Sequence, residues 1–352
     1  MRLAWFGSSL VSAYWNGAAT YYRGLVRALH ERGHHVVFLE PDAYGRQAHR
    51  DLDDPAWAEV VVYDPARWEE ALERARGCDV AVKASGVGVL DAELEAGVLE
   101  LGAATTIFWD VDAPATLARL EADEHDALRA LVPRYDLVLT YGGGDPVVER
   151  YRALGARDCV PVYNALDPET HHPVPPDERF RCDLAFLGNR LPDREARVEE
   201  FFLHAAELAP ERSFLLGGSG WEDKPLPPNV RNLGHVSTRD HNALNATPLA
   251  VLNVSRESMA ANGFSPATRV FEAAGAAACL ITDAWEGIEL FLEPGAEVLV
   301  AEDGAQVAEL LEGLDAARAR ALGAAARERI LREHTYARRA EQVERLLEVV
   351  RA

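Results

Sequence analysis

The chain has 352 residues, 48% hydrophobic and 26% charged, the composition of a globular protein with room for about two cores. With 36 basic and 57 acidic residues its net charge is −21, which repels phosphate backbones and anionic membranes, so neither nucleic acid nor a membrane is expected as a partner. No apolar run approaches the ~20 residues of a membrane span.

The opening "MRLAWFGSSL" reads as a strand rather than a signal peptide. Cys78, Cys159, Cys182 and Cys279 lie far apart, mostly in apolar runs, as buried free thiols do in a reducing compartment. A cytoplasmic location is expected.

In chain order, residues 2–7 form a strand and 18–32 a helix stopped by Gly33; 35–40 is the next strand. Strands follow at 60–63, 79–84, 104–109 and 136–140, with helices at 91–100, 114–131 and 145–154. Continuous apolar strands alternating with helices mean βαβ units and a helix-covered parallel sheet. The proline-rich, polar stretch 164–183 breaks the rhythm and reads as a linker. Strands resume at 182–188, 213–216, 230–233, 249–253, 278–281 and 297–300, with helices at 194–208, 238–245, 266–277 and 286–292 and a charged helical tail over 304–351. The expected fold class is α/β, with two doubly wound Rossmann-like domains facing across a cleft. The division is 1–165, 166–335, and a terminal helix, 336–352.

The most informative segment is "NGFSPATRVFEAAGAAACLITD", residues 262–283. Ser265 reads as an N-cap and Pro266 as the first helical residue. A helix start after Gly263 is an anion site suited to phosphate, lined by Phe264, Ser265, Thr268 and Arg269. Glu272 lies six residues beyond Pro266, about 9 Å along the axis. That offset matches the distance from a diphosphate to the ribose of one nucleotide, whose diol a carboxylate binds. A plain Arg269–Glu272 pair on a solvated face explains the same letters.

Other candidates sit where strands end. Asn189 and Arg190 follow a strand, and Arg190 has the geometry for a β-phosphate, with Arg194 as a second choice. Arg256 follows the strand "LAVLNVS". His235 and Val236 sit where a base would lie, and Trp221 could stack on a base or sugar. In the first half, Asn16 and Gly17 open the first helix, Lys83 ends a strand, and Asp110 or Asp112 could serve as general base for an acceptor hydroxyl. "YGGGD" at 141–145 fails the dinucleotide fingerprint, because Val147 stands at the third glycine. The pairs His34–His35 and His171–His172 have no matching carboxylate spacing, so no metal and no other cofactor is expected.

The segment 262–283 resembles the sugar-nucleotide-binding segment of group 1 glycosyltransferases, in particular the CgeB-like (spore maturation protein) branch with its R-x-F-E-A helix. The resemblance extends over 285–300, 333–347, 183–195, 214–221 and 15–42, nearly the whole chain. It implies the GT-B architecture and a nucleotide-sugar donor, most readily a UDP-sugar. It also implies metal-independent transfer with retention of anomeric configuration, ribose binding by Glu272, and a last helix, 336–352, that crosses back to the first domain. The family carries a second glutamate eight positions earlier, on the donor sugar, where this chain has Phe264. An epimerase on the same scaffold and a non-catalytic nucleotide-sugar binder are the competing readings.

Overall fold

A computed structural model describes residues 1–351. The chain forms two compact units. The first comprises Met1–Tyr163 and the last helix, and the second comprises Asn164–Thr335.

The first unit is a seven-stranded parallel sheet: β1 (Arg2–Phe6), β2 (His35–Pro41), β3 (Glu59–Tyr63), β4 (Val80–Ala84), β5 (Thr105–Asp110), β6 (Leu137–Thr140) and β7 (Cys159–Pro161). The strand order is β3-β2-β1-β4-β5-β6-β7. Its helices are α1 (Ala19–Glu31), α2 (Trp68–Ala75), α3 (Asp91–Leu99), α4 (Ala113–Ala122), α5 (Ala127–Leu131) and α6 (Gly144–Ala153). The central strands are buried throughout because helices cover both faces, which explains their unbroken apolar runs.

The second unit has six parallel strands: β8 (Leu184–Leu187), β9 (Phe214–Gly217), β10 (Val230–Gly234), β11 (Ala250–Asn253), β12 (Leu280–Asp283) and β13 (Leu299–Ala301). They are ordered β10-β9-β8-β11-β12-β13. Its helices are α7 (Glu195–Val198), continuing through a π-helical stretch at 199–204 into α8 (Ala205–Leu208), then α9 (His241–Ala246), α10 (Glu257–Asn262), α11 (Thr268–Gly275), α12 (Gly304–Glu312) and α13 (Ala316–Glu333). In both sheets the order reverses beside the first strand, so loops at the carboxyl ends of β1 and β4, and of β8 and β11, diverge and leave a binding edge.

Helix α14 (Tyr336–Arg351) packs on α1. Its Tyr336 ring lies where a Cβ at Gly24 would stand, so only glycine lets the helices meet. Arg339 Nε donates to the Tyr163 carbonyl at 3.0 Å, and Arg32 pairs with Glu344.

Several elements differ from the sequence expectation. Residues 164–183 are no free linker: Asn164, Leu166, Asp167, His171 and Phe180 are buried in the second unit. Leu166 runs parallel to Thr335, its amide donating to the His334 carbonyl at 2.8 Å. The helix expected at 266–277 begins at Thr268 with Ala267 at the N-cap position and no side-chain cap, so Ser265 is not the cap. At 286–292 only a short turn forms, because Gly287 turns left-handed (φ 91°). β7, α2 and α10 were too short or too polar to announce themselves.

Glu95 on α3 is 3% exposed, with Arg119 Nη2 as its nearest cation at 3.9 Å. Burial pushes its carboxyl up to about 7, partly countered by Lys83 and Arg119. A carboxyl raised in the folded state contributes full stability below its unfolded value of about 4.3 and loses it as pH rises through about 7. Removing that charge is worth on the order of 3 kcal/mol above neutrality. Glu95→Gln should therefore raise Tm by several degrees at pH 8, with the gain shrinking towards pH 5, as measured by thermal melts across that range.

Candidate functional site

The carboxyl edge of the second sheet gathers most of the charged candidates. Strand β8 ends at Leu187, and the turn Gly188–Asn189–Arg190 lies against the turn after β9: Arg190 N donates to the Ser219 carbonyl and Ser219 N to Asn189 Oδ1, both at 3.0 Å. Gly218 (φ 121°) makes this contact possible, because a Cβ there would overlap the Gly188 carbonyl. Trp221 is fully buried, its indole N–H donating to that carbonyl at 2.8 Å. Trp221 is therefore a core residue and does not present a stacking face, contrary to expectation.

The arginines divide into engaged and unengaged. Arg190 is held by Glu195 at 2.6 Å and Asp223 at 2.9 Å, so the guanidinium expected on a β-phosphate is already neutralised. Arg256 Nε sits between both oxygens of Asp193, at 2.9 and 3.1 Å. Arg194, the second choice from sequence, is different. It lies over Gly188, makes no ion pair among the described residues, and its Nε is buried without a hydrogen-bond partner. Burial, then the charge of Arg256, pulls its affinity for a proton down. A buried, uncompensated guanidinium is costly unless an anion arrives.

Beyond β11, Asp283 at the end of β12 is fully buried. It accepts from Arg197 Nη2 (2.8 Å) and Ser255 N (3.0 Å), which fixes the turn leading to Arg256. Gly263 (φ 66°) and Phe264 (φ 47°) carry the chain into α11, Phe264 N donating to the Glu286 carbonyl at 2.6 Å. The Phe264 ring packs on Gly287. Ser265 is buried and Thr268 half-buried at the start of the helix.

Glu272 is one turn into α11 and mostly buried. Arg269 Nη1 stands 3.8 Å from its Oε2, but Arg269 donates instead to Asn245 Oδ1 (3.0 Å) and the Leu187 carbonyl (3.3 Å). The solvated pair that sequence allowed is excluded by this burial. Burial tends to raise the Glu272 carboxyl, yet Arg269, His171 and His241 hold it below the usual carboxylate range. It accepts no hydrogen bond among the described residues.

His171 and His241 were not foreseen here. His171 lies in the supposed linker, and its Nε2 is 3.9 Å from Glu272 Oε1. The statement that the 171–172 pair lacks a carboxylate is thus corrected, because the fold supplies one from a hundred residues away. His235 is exposed and Val236 buried among Phe180, Ala185, Leu215 and Leu244.

In the first unit, Asp110 is fully buried. Its Oδ1 accepts from Ser85 Oγ, Thr116 Oγ1 and the Asp112 amide, and its Oδ2 from Tyr151 at 2.5 Å. With those donors it organises the end of β5 and is not placed as a base. Asp112 is exposed at the start of α4 and makes no side-chain cap. Lys83 is buried, its Nζ donating to Asp91 (2.7 Å) and the Ala84 carbonyl (2.6 Å). Asn16 is spent on its own loop, bonding Ser8, Ser9 and Ser12. Beside it Gly17 is exposed, and so is Trp15, at 80% and in a left-handed conformation (φ 47°).

Two interlocked glycine turns, an arginine with no ion pair among the described residues and a carboxylate held below its usual range one turn into α11 lie in the carboxyl-edge region of the second sheet. Residues 194–345 match the family model described as glycosyl transferase-like. No curated protein sequence matches the chain. Among solved structures, sucrose-phosphate synthase from Thermosynechococcus elongatus is similar at TM-score 0.74 and 13% identity, covering 99% of both chains. Anabaena Alr3699/HepE in complex with UDP-glucose is similar at TM-score 0.66 and 13% identity, over 99% of this chain and 100% of that one. An alpha-glucosyltransferase in complex with UDP-glucose and DNA containing an abasic site reaches TM-score 0.72 at 12% identity over all of both chains. The fold is GT-B. The DNA in that last structure means the fold itself does not exclude a nucleic-acid acceptor, and the exclusion rests on the charge of −21 alone. No helix of the described residues is long and apolar enough to cross a membrane.

The two glycines expected near ligand should behave oppositely. Gly218→Ala, strained and overlapping backbone, should cost at least about 2 kcal/mol. Gly17→Ala, with nothing within 4 Å of its Cβ, should stay within about 0.5 kcal/mol. Chemical denaturation of both variants measures the contrast.

Proposed function

We propose that the chain is a glycosyltransferase that moves a sugar from a nucleoside-diphosphate sugar, most readily a UDP-sugar, to an acceptor bound by the first unit. The observation that carries this reading is Arg194: a half-buried guanidinium that makes no ion pair among the described residues and whose Nε has no hydrogen-bond partner, beside the Gly188 turn at the point where the strand order reverses. Arg194 offsets the charge that grows on the leaving diphosphate, while Arg256, held by Asp193, shapes the neighbouring turn. The free amides at the start of α11 add to it. Glu272 takes the ribose hydroxyls, since an ionised carboxylate with no hydrogen-bond donor of its own is ready to accept two. The UDP-glucose held by two structural neighbours supports this donor class.

In this reading transfer is metal-independent, with cationic side chains in the metal's place, and proceeds with retention. The resemblance of residues 262–300 to the CgeB-like branch is what supports that finer reading. Asp112, exposed at the end of β5, is the better-placed general base of the two aspartates. Phe264 makes the sugar subsite apolar where the related enzymes carry a carboxylate.

A thermal-shift screen with nucleotide sugars tests the reading, since a bound donor raises Tm by mass action. The wild type should respond to a UDP-sugar and release free UDP in the presence of a sugar acceptor or, slowly, water. Glu272→Ala should abolish the Tm response while leaving the unliganded protein folded. Arg194→Ala should weaken donor binding about 10- to 100-fold, the worth of a charge-assisted bond to phosphate. Arg190→Ala should change it little. An unchanged response in Glu272→Ala would refute the ribose assignment, and sugar conversion without UDP release would identify an epimerase.

A further inference from the structure

His171, His241 and Glu272 direct one ligand atom each towards a common point, all within 4.8 Å of one another. Both rings are oriented from behind. Thr170 Oγ1, which donates to the Asp167 carbonyl (3.2 Å), lies 3.0 Å from His171 Nδ1 and is placed to accept its proton, with Nε2 turned towards Glu272. The Val236 backbone holds the His241 ring. Their two segments are also bound to each other: Asn242 Nδ2 donates to the Thr170 carbonyl at 2.9 Å, and His172 N to Asn242 Oδ1 at 3.4 Å. Ring nitrogens backed by a hydroxyl and a backbone group are the arrangement that fixes metal-ligating histidines.

The Glu272 carboxylate accepts no hydrogen bond among the described residues, so what draws the three groups together is a shared cation, either a proton carried on an imidazole or a metal ion between them. Two imidazoles and a carboxylate suit zinc and its neighbours in the transition series, and do not suit magnesium or calcium, which take oxygen. Zinc at about 2.0–2.2 Å from each atom needs them roughly 3.4 Å apart, so all three side chains, both imidazoles as well as the carboxylate, must turn inward from their separations of up to 4.8 Å. Arg269 does not block this. It faces Oε2 while His171 faces Oε1, and its guanidinium is anchored on Asn245 and Leu187. Its charge opposes the cation, which keeps the site reversible.

We propose that His171, His241 and Glu272 form a binding site for a zinc-class divalent cation, and that this cation competes with the nucleotide sugar for Glu272. The competition rests on the ribose reading above; the cation site does not. The consequence is a donor site that zinc closes, in an enzyme whose transfer chemistry needs no metal.

The test is calorimetric titration of the full chain with ZnCl2, alone and with UDP present. Zinc should bind one site and MgCl2 should not. His171→Ala and His241→Ala should each weaken zinc binding by at least the roughly 10- to 100-fold that loss of a supporting partner costs. Should either variant fail to fold, zinc-edge X-ray absorption of the wild type decides, and two imidazoles in the zinc shell are expected. No zinc binding by the wild type, undiminished binding by folded variants, or a shell without paired imidazoles overturns the site. Zinc that binds through both histidines yet is not weakened by UDP upholds the cation site and refutes the ribose reading instead.

Discussion

A carboxylate kept charged inside the protein is the constraint on which the second unit's reading depends. Burying Glu272 beside Arg269 costs solvation that the pair alone does not return at 3.8 Å. The surroundings are arranged to tolerate it: Arg269 is anchored on Asn245 and the end of β8, and two histidines close the other side. A protein selected for stability alone would put an apolar residue there, and the neighbours in α11 are apolar. The same argument applies to Arg194, whose buried Nε lacks a partner. Two part-buried charges of opposite sign, neither closed by a hydrogen-bonded ion pair, are the feature from which the proposed donor site is read.

The first unit treats its buried charges in the opposite way. Asp110 is surrounded by hydroxyls and an amide, and Lys83 is paired with Asp91, so each is internally satisfied. What this unit exposes at its carboxyl edge is aromatic: Trp15, Tyr14 and Tyr44. A carboxyl edge that displays rings offers shape and apolar contact more than charge to whatever meets it.

Strand positions were legible because buried parallel strands have no polar face to interrupt the pattern, and nearly all lie within two residues of where apolar runs put them. Glu272 was legible because a lone acid in an apolar helix breaks local pattern. What sequence could not show is partnership. Nothing in "GNRLPDRE" tells that Arg190 is consumed by Glu195 and Asp223 while Arg194 is left alone, since Asp223 arrives from another turn. His171 looked like linker because prolines surround it, and its approach to Glu272 depends on a tertiary fold-back of that segment. Trp221 looked like a stacking residue because glycines precede it; those glycines instead allow two turns to meet over its indole.

The seat of α14 carries a lesson about how the chain is made. The first unit is discontinuous in sequence: α14 joins it only after the whole of Asn164–Thr335, and the Gly24 notch stays open until Tyr336 fills it. On the ribosome the second unit has all its strands before the first can cover α1. The order of completion therefore reverses the order of synthesis, and a break in the chain before Tyr336 would damage the lobe that was built first.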